Sequence, residues 1–125
     1  MSKILMPINP IHVEKIMSGT KKYEYRKILP KKTNIDTMLI YSTSPIKKVI
    51  GEAEILEIII DNKEIVWNKT KDNSGINKEF YDKYYQNKDF AVAYKLGKIK
   101  KYDNPKDLKE FNINYYPQSF VYIDE

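Results

Sequence analysis

Three side chains in the stretch KKYEYR have types and spacing suited to chemistry: Lys21, Glu24 and Arg26. Arg26 is the only arginine among 22 lysine and arginine residues. Its retention in so lysine-rich a chain indicates a need for a planar fork that binds a carboxylate, a phosphate or a base edge at two points. Lys21 offers a point charge for phosphate or for a developing oxyanion. Glu24 can accept a hydrogen bond from a base amino group or hold the arginine in place.

The segment that carries these side chains also has a purely structural interpretation. Residues 21–27 alternate charged with aromatic types, which predicts a strand with its tyrosines on one face and Glu24 and Arg26 on the other. Twist or a bulge at the start of the strand could turn Lys21 towards Glu24. If this face is simply exposed to solvent, its ion pair contributes less than about 1 kcal/mol. The residues alone leave both interpretations open.

Three hydroxyl groups, those of Ser42, Thr43 and Ser44, follow one another at the predicted end of a strand. Hydroxyls and exposed amides at such a position suit a phosphate or a base edge. Serine and threonine before Pro45 are equally typical of an ordinary turn. We keep all three as candidate ligand-binding residues.

Trp67, Gln118 and Ser119 are further candidates for contact with a base. Trp67, the only tryptophan, could form a stacking wall for a splayed-out base. Burial in the core is the more common fate of a tryptophan in such a helix. Gln118 and Ser119 could read a base edge, and we expect their aromatic neighbours to pack into the core: Tyr116, Phe120 and Tyr122.

The sequence offers little for a metal or a nucleophilic enzyme. His12 is the only histidine, and cysteine is absent. A lone histidine among apolar neighbours usually packs against them, and no second ligand accompanies it. There is no P-loop and no Ser-His-Asp or Cys-His arrangement. We therefore expect neither a metal nor a cofactor.

Composition indicates one ordinary globular domain spanning residues 1–125, with 42% hydrophobic and 31% charged residues. No apolar run approaches the roughly 18 residues of a membrane span, and the first residues lack the pattern of a secretory signal. Absence of cysteine fits a reducing compartment. We expect a cytoplasmic protein that does not bind membranes, with a monomer as the expected state.

The net charge of +5 suggests a polyanionic partner, although abundant Lys, Ile, Asn and Tyr also reflect an AT-rich genome. Three lysine pairs would form the electrostatic footprint of a nucleic acid if they converged on one cleft. Otherwise they serve solubility or protect strand edges. The pairs are Lys31–Lys32, Lys47–Lys48 and Lys100–Lys101.

A helix must follow the first strand and precede the KKYEYR stretch. Asn9 offers an N-cap oxygen, Pro10 suits the first helical position and Gly19 supplies a left-handed stop. The apolar stripe predicted for this helix comprises Ile11, Val13, Ile16 and Met17.

Period-two and period-3.6 patterns predict the remaining elements. A bulge is expected near Leu56 and Glu57, where the alternation changes phase, and a bend at Gly97. Strands are predicted at 3–8, 37–45, 47–61, 89–103 and 118–123, helices at 62–70 and 77–85, and a helical turn at 105–111. This order predicts an α+β fold: a mixed β-barrel of about five to six strands, with an N-terminal helix and a short helical insertion.

The motif Gly19-x-Lys21-x-x-Glu24-x-Arg26 resembles the G-x-K-x-x-E-x-R signature of the ASCH domain, a branch of the PUA-like superfamily. The blocks INPIHVEKIMSGTKKYEYRK, IYSTSPIKKVIGEAEI and PQSFVYI are similar to those of small, free-standing bacterial and archaeal ASCH proteins. They occur in the same order, so the resemblance covers essentially the whole chain.

The resemblance implies a PUA-like barrel with a cleft beside its first helix, lined by the strand of Lys21, Glu24 and Arg26. For most of the family it implies binding of RNA or a modified nucleotide, in RNA metabolism or in regulation of transcription or translation. A role as a protein-interaction domain remains possible, since PUA-like modules often accompany such machinery. The other residues expected around the ligand are Ser42, Thr43, Ser44, Trp67, Gln118 and Ser119.

One branch of ASCH proteins hydrolyses acetylcytidine nucleosides with a lysine, a threonine and a glutamate. This chain has the lysine, Lys21, but carries Glu24 at the threonine position, and Asp72 lies nearest to the later glutamate. The alternative function is therefore a metal-free amidohydrolase in which Lys21 is base or charge stabiliser and Glu24 shuttles the proton. A neighbouring glutamate favours the protonated lysine, which opposes this chemistry unless burial overrides it.

Overall fold

Residues 2–124 are described in a computed structural model of the chain. None of the helices within that range combines the length and apolar character needed to cross a bilayer. The strands are β1 (Ser2–Ile8), β2 (Tyr23–Arg26), β3 (Ile35–Ser42), β4 (Lys48–Asn62), β5 (Phe90–Lys106) and β6 (Val121–Asp124). The helices are α1 (Pro10–Ser18), α2 (Lys63–Thr70) and α3 (Lys78–Tyr84), with 3-10 turns at Lys71–Asn73 and Leu108–Phe111.

All six strands form one mixed sheet in the order β2-β5-β4-β3-β1-β6. β1 and β3 are parallel, and the other neighbours are antiparallel. The predicted α+β class and strand number are confirmed. The closed barrel is not, because no pairing among residues 2–124 joins the two end strands β2 and β6.

The long strands β4 and β5 bend, and this bend curls the open sheet. Their pairing shifts register between Ile55 and Glu57, where the alternation predicted a bulge. A second shift lies opposite the stretch from Leu96 to Ile99, which contains Gly97. Bulges strengthen local twist. The curl brings β2 at one end of the strand order close to β1 near the other end, and the narrow gap between them is here called the seam.

Helix α1 begins and ends as its sequence predicts. The Asn9 side chain accepts a hydrogen bond of 3.0 Å from the backbone N–H of Ile11, and Gly19 ends the helix with φ of 87°. Val13 and Ile16 are buried against the sheet. Ile11 is not, because it lies on the solvent side of the helix, so its place in the predicted stripe was wrong.

The helical insertion between β4 and β5 covers a second, aromatic cluster. Tyr23 and Tyr25 of β2 pack there with Tyr81 and Tyr85, as the alternation of β2 predicted. Hydroxyl groups of this insertion also bind β2: Tyr84 donates to the carbonyl of Tyr25 at 3.2 Å, and Tyr85 to that of Arg26 at 2.8 Å. The Tyr25 carbonyl points away from β5, so the Tyr84 hydroxyl occupies part of the free edge of β2.

Three predictions near the C-terminus need correction. β5 continues through Pro105 to Lys106, so the 3-10 turn begins only at Leu108. The pairing of β6 with β1 begins at Val121 and includes four residues of β6. Gln118 and Ser119 therefore lie outside the strand. Tyr116 is exposed rather than packed in the core, whereas Phe120 and Tyr122 do pack against it.

Candidate nucleic-acid site

A cleft of about 180 Å³ lies where the seam meets helices α1 and α3. The end of β1, the start of α1, strand β2 and one face of α3 form its walls. Lys21, Glu24 and Arg26 all line it. The other residues that line it are Pro7, Ile8, Asn9, His12, Tyr25, Ile76, Phe80 and Tyr84.

Arg26 bridges the seam. One terminal nitrogen of its guanidinium donates to the carbonyl of Pro7 on β1. Its Nε lies 3.2 Å from Glu24 Oε2, yet this N–H makes no hydrogen bond within residues 2–124, so the contact is an ion pair with poor alignment. Glu24 is buried, while the arginine side chain is 21% exposed. The guanidinium is therefore anchored at one end, and its ion-paired Nε makes no hydrogen bond within residues 2–124.

Lys21 is almost fully buried, with 3% of its surface exposed, and is held by a loop. Its Nζ donates to the carbonyl of Ser74 at 3.0 Å and lies 4.8 Å from the centre of the Tyr25 ring. Lys15 of α1 donates to the next carbonyl, that of Gly75, at 2.9 Å. The loop between the 3-10 turn and α3 thus binds two ammonium groups through consecutive carbonyls.

Burial lowers the pKa of Lys21, and the neighbouring charges of Lys15 and Arg26 lower it further. Glu24 acts in the opposite direction but is outweighed by burial. The sequence predicts that Glu24 keeps Lys21 protonated unless burial has the larger effect on its pKa, and burial does have the larger effect. A larger share of Lys21 is neutral amine at a given pH than for an exposed lysine.

His12 and Phe80 form a wall of the cleft that the sequence did not reveal. Their rings meet edge to face at 5.5 Å between centroids, and Phe80 is 48% exposed. His12 Nδ1 is buried without a hydrogen-bond partner in the described part of the chain. Burial, then the charges of Lys21, Lys15 and Arg26, lowers the pKa of His12. The sequence marked His12 only as a lone histidine without a second metal ligand, and Phe80 does not stand out, since only folding brings α3 against α1.

Gln118 and Ser119 lie beside the cleft, in an adjoining groove of about 350 Å³. This outer groove shares Arg26 and Tyr84 with the cleft, so the two form a continuous depression. Lys27, Ile28, Lys88 and Phe120 complete the lining of the outer groove.

Ser42, Thr43 and Ser44 do not line the cleft. Ser42 is fully buried in the strand end, and the backbone N–H of Thr43 donates to the carbonyl of Ile8 at 3.0 Å. Ser44 is exposed in the turn that follows. The hydroxyls therefore lie behind a cleft wall, one strand away from the position that we expected.

Trp67 also lies outside the cleft. Its ring packs 4.7 Å from that of Tyr81, within the aromatic cluster beneath the insertion. Burial was the alternative that the sequence favoured for it. Phe80 instead offers an exposed aromatic face at the cleft.

Buried polar atoms without partners concentrate at this end of the sheet. Among residues 2–124 they are His12 Nδ1, Arg26 Nε, Ser42 Oγ and Tyr94 Oη. Two of these residues line the cleft, and Tyr94 pairs with Glu24 across β2 and β5. Such atoms are rare in native proteins and often mark the place of a water or a ligand.

The lysine pairs do not converge on the cleft. Lys47 lines a separate hollow, Lys48 forms an ion pair with Asp107, and Lys100 lies opposite Glu52 in the β4–β5 pairing. Positive charge at the cleft comes from other residues. Asp72 is exposed and does not line the cleft either, so no second carboxylate from residues 2–124 joins Glu24 there.

Residues 1–116 match the family described as "Domain of unknown function (DUF365)". Two relatives come from Ureaplasma parvum serovar 3. ATP synthase subunit alpha is 33% identical over 121 residues, 96% of this chain and 15% of the relative. Large ribosomal subunit protein uL22 is 43% identical over 86 residues, 69% of this chain and 28% of the relative. The chain thus spans less than a third of either relative.

An ASCH domain-containing ribonuclease from Zymomonas mobilis is 27% identical over 117 residues, 91% of this chain and 79% of that protein. The crystal structure of ASCH from Zymomonas mobilis has a TM-score of 0.88 at 25% identity, covering 98% of this chain and 88% of that chain. The N-terminal domain of Staphylothermus marinus McrB shares the fold more distantly, with a TM-score of 0.51 at 16% identity over 88% of this chain and 78% of that one. The chain belongs to the DUF365 family and is an ASCH domain protein.

Proposed function

We propose that this protein binds RNA and holds a single unpaired nucleotide in the cleft. The observation that carries the proposal is the guanidinium of Arg26, which lines a concave site while anchored to Pro7 and ion-paired with the Glu24 carboxylate through an Nε that makes no hydrogen bond within residues 2–124. A donor and an acceptor side by side match the edge of a nucleobase. A phosphate would satisfy the same donor.

The size and walls of the cleft favour one base rather than a duplex. Pockets for drug-sized ligands hold about 300–1,000 Å³, so a cleft of about 180 Å³ accepts one nucleobase at most. Phe80 offers a half-exposed ring on which that base can stack. Sequence-specific RNA recognition commonly uses such unstacked bases, since side chains cannot read the deep major groove of A-form RNA.

The comparisons support an RNA-directed function. The relative that matches over most of both chains is named a ribonuclease. The ATP synthase and ribosomal relatives share only 15% and 28% of their lengths with this chain, so their names say little about the shared domain. We infer an RNA ligand rather than a free nucleotide on this ground.

The first test replaces Arg26 with alanine and measures binding of a labelled single-stranded RNA. We expect Arg26→Ala to weaken binding about five- to hundredfold, because a bidentate contact to a base or phosphate contributes about 1–3 kcal/mol. The matched control is Lys98→Ala, an exposed lysine that lines neither the cleft nor the outer groove. If both variants bind RNA like the wild type, this site assignment is wrong.

RNA cleavage without a metal is the second candidate, favoured by the ribonuclease relative and by two groups in the cleft. Lys21 and His12 both have lowered pKa values, so each holds more of its neutral, proton-accepting form than when free. A neutral amine or imidazole can accept the proton of a ribose 2′-hydroxyl as its oxygen bonds to the adjacent phosphorus, while Arg26 stabilises the charge of the phosphate. The bond from phosphorus to the 5′-oxygen breaks, the 5′-oxygen takes up a proton, and a 2′,3′-cyclic phosphate remains. Amidohydrolysis of acetylcytidine would need the same neutral Lys21.

One set of incubations separates binding from these reactions. RNA or acetylcytidine is incubated with the protein and a chelator, and the products are followed by chromatography. Binding without RNA fragments and without acetate identifies a binding domain. Fragments that appear with the wild type and vanish with Lys21→Met would establish cleavage instead.

A further inference from the structure

Two adjacent aromatic side chains, Tyr115 and Tyr116, remain unexplained by the cleft. They are the only exposed tyrosines among the eleven of the chain, at 59% and 64% exposure. Every other tyrosine is buried or half-buried. Exposing two neighbouring rings has a hydrophobic cost, so an exposed aromatic pair indicates a binding surface.

These tyrosines line a hollow of about 480 Å³, here called the aromatic hollow, together with basic and polar groups. Lys47 and Lys109 line it, and Lys47 Nζ lies 4.9 Å from the centre of the Tyr116 ring. One carboxylate, that of Asp107, also faces it but is paired with Lys48. Exposed rings interleaved with lysines are the composition that binds the bases and phosphates of a single strand.

Residues that line the aromatic hollow are followed closely in the sequence by residues that line the outer groove. Tyr115 and Tyr116 line the hollow, Pro117 is buried, and Gln118 and Ser119 line the groove that shares Arg26 with the cleft. From Tyr115 to Ser119 the chain spans at most about 14 Å. Residues 115–119 therefore join the aromatic hollow to the groove beside the cleft. The distance between the two is one that a short oligonucleotide can span.

We propose that single-stranded RNA runs from the cleft along residues 115–119, with flanking bases stacked on Tyr115 and Tyr116. This inference rests on the proposed RNA-binding function. The occupant is a single strand rather than a duplex, because only unstacked bases present a free face to an aromatic ring. A protein partner would need neither the basic groups nor the link to the cleft.

The test compares RNA length with the site of substitution. Affinities of a mononucleotide and of an oligouridylate of about eight nucleotides are measured by calorimetry and fluorescence anisotropy. The wild type should bind the oligomer much more tightly. The double variant Tyr115→Ala, Tyr116→Ala should bind the mononucleotide like the wild type and lose about thirtyfold or more in affinity for the oligomer, since each ring contributes at least about fivefold. Replacement of both tyrosines by phenylalanine should restore it.

Two controls make failure of this inference distinct from failure of the proposed function. Phe90→Ala removes an exposed ring that lines neither the hollow, the groove nor the cleft, and should leave both affinities unchanged. Arg26→Ala should lower both. If the double tyrosine variant binds the oligomer like the wild type while Arg26→Ala does not, the path along 115–119 is wrong and the aromatic hollow is left to a protein partner. If the wild type bound an RNA duplex as tightly as the single-stranded oligomer, the proposed path of a single strand along residues 115–119 would also be wrong.

Discussion

At the scale of single residues, the cleft combines two charged groups that are held in different ways. Arg26 is anchored at the seam and keeps an N–H that makes no hydrogen bond among residues 2–124, whereas Lys21 is buried and its Nζ donates to a carbonyl of the protein. The lysine has a strong structural contact, so its burial alone does not identify a functional group. Its pKa direction does distinguish it from a lysine placed for stability, because a buried ammonium opposes folding.

Lys21→Met should therefore stabilise the protein near pH 7. The folded-state pKa of Lys21 lies below its ordinary value, so between the two values the unfolded state binds more protons than the folded state. The free energy of unfolding then rises with pH as the native lysine loses its proton. Below the folded-state pKa, the buried charge of Lys21 lowers the free energy of unfolding by its full amount. That amount is about 1.4 kcal/mol for each pH unit by which folding lowers the pKa.

Urea unfolding of the wild type and Lys21→Met at about pH 7 and about pH 10 checks this sign. The advantage of the variant should shrink at the higher pH. Lys22→Met, at the exposed neighbouring position, should show no such pH-dependent difference. A variant that is less stable than the wild type at both pH values would show that the bond to Ser74 outweighs the cost of burial.

At the scale of elements, the cleft depends on a loop that the sequence did not single out. Gly75 has φ of 72°, and a Cβ built there would lie 2.5 Å from Cβ of Lys21. The loop thus approaches the lysine closely enough for its carbonyls to accept from Lys21 and Lys15. Glycine is required at this position for two reasons, the positive φ and the close approach.

Gly75→Ala should destabilise the protein more than Gly19→Ala does. Both glycines have positive φ, so both substitutions incur conformational strain of about 1–2 kcal/mol. At Gly19 nothing in the described chain lies within 4 Å of the added Cβ, which leaves the strain alone. At Gly75 the clash with Lys21 should add about 1–3 kcal/mol and displace the lysine. Urea unfolding measures the difference, and equal losses for the two variants would show that the loop moves away freely.

Sequence patterns predicted the helices and strands better than the contacts between them. Helix α1 and the alternation of β2 depend on local chemistry, through Asn9, Gly19 and the tyrosines of β2, and these were confirmed. The position of Phe80 at the cleft depends on packing between α1 and α3, which are far apart in the chain. No local pattern encodes such a contact. Ser42 was misplaced for the same reason, since the strand order decides which side of β1 it occupies.

At the scale of the whole molecule, the open sheet explains where the site lies. A closed barrel would pair β2 with β6 and leave no gap, whereas the curled sheet leaves a seam that Arg26 spans with one hydrogen bond. Two side-chain atoms beside the seam, Arg26 Nε and His12 Nδ1, make no hydrogen bond within residues 2–124. A binding site at this place uses polar groups that the fold leaves available, so no further distortion of the sheet is needed.

Positive charge is spread over the molecule, and this dispersion predicts a modest salt dependence of RNA binding. The net charge is +5, but only Arg26, Lys27 and Lys88 among the described basic residues line the outer groove, and the buried Lys21 is bonded to the protein. For single strands, the slope of log K against log salt is about −0.7 for each phosphate neutralised. Three contacts then give a slope of about −2 for a short oligonucleotide.

Measuring the affinity for a tetranucleotide at several salt concentrations tests the predicted slope. Arg26→Ala should make the slope shallower by about 0.7, and Lys98→Ala should leave it unchanged. A slope much steeper than about −2 would mean that lysines outside the groove, such as the pair Lys100–Lys101, also contact the RNA. Binding would then be governed by the basic surface as a whole, and the cleft would not determine where the strand lies.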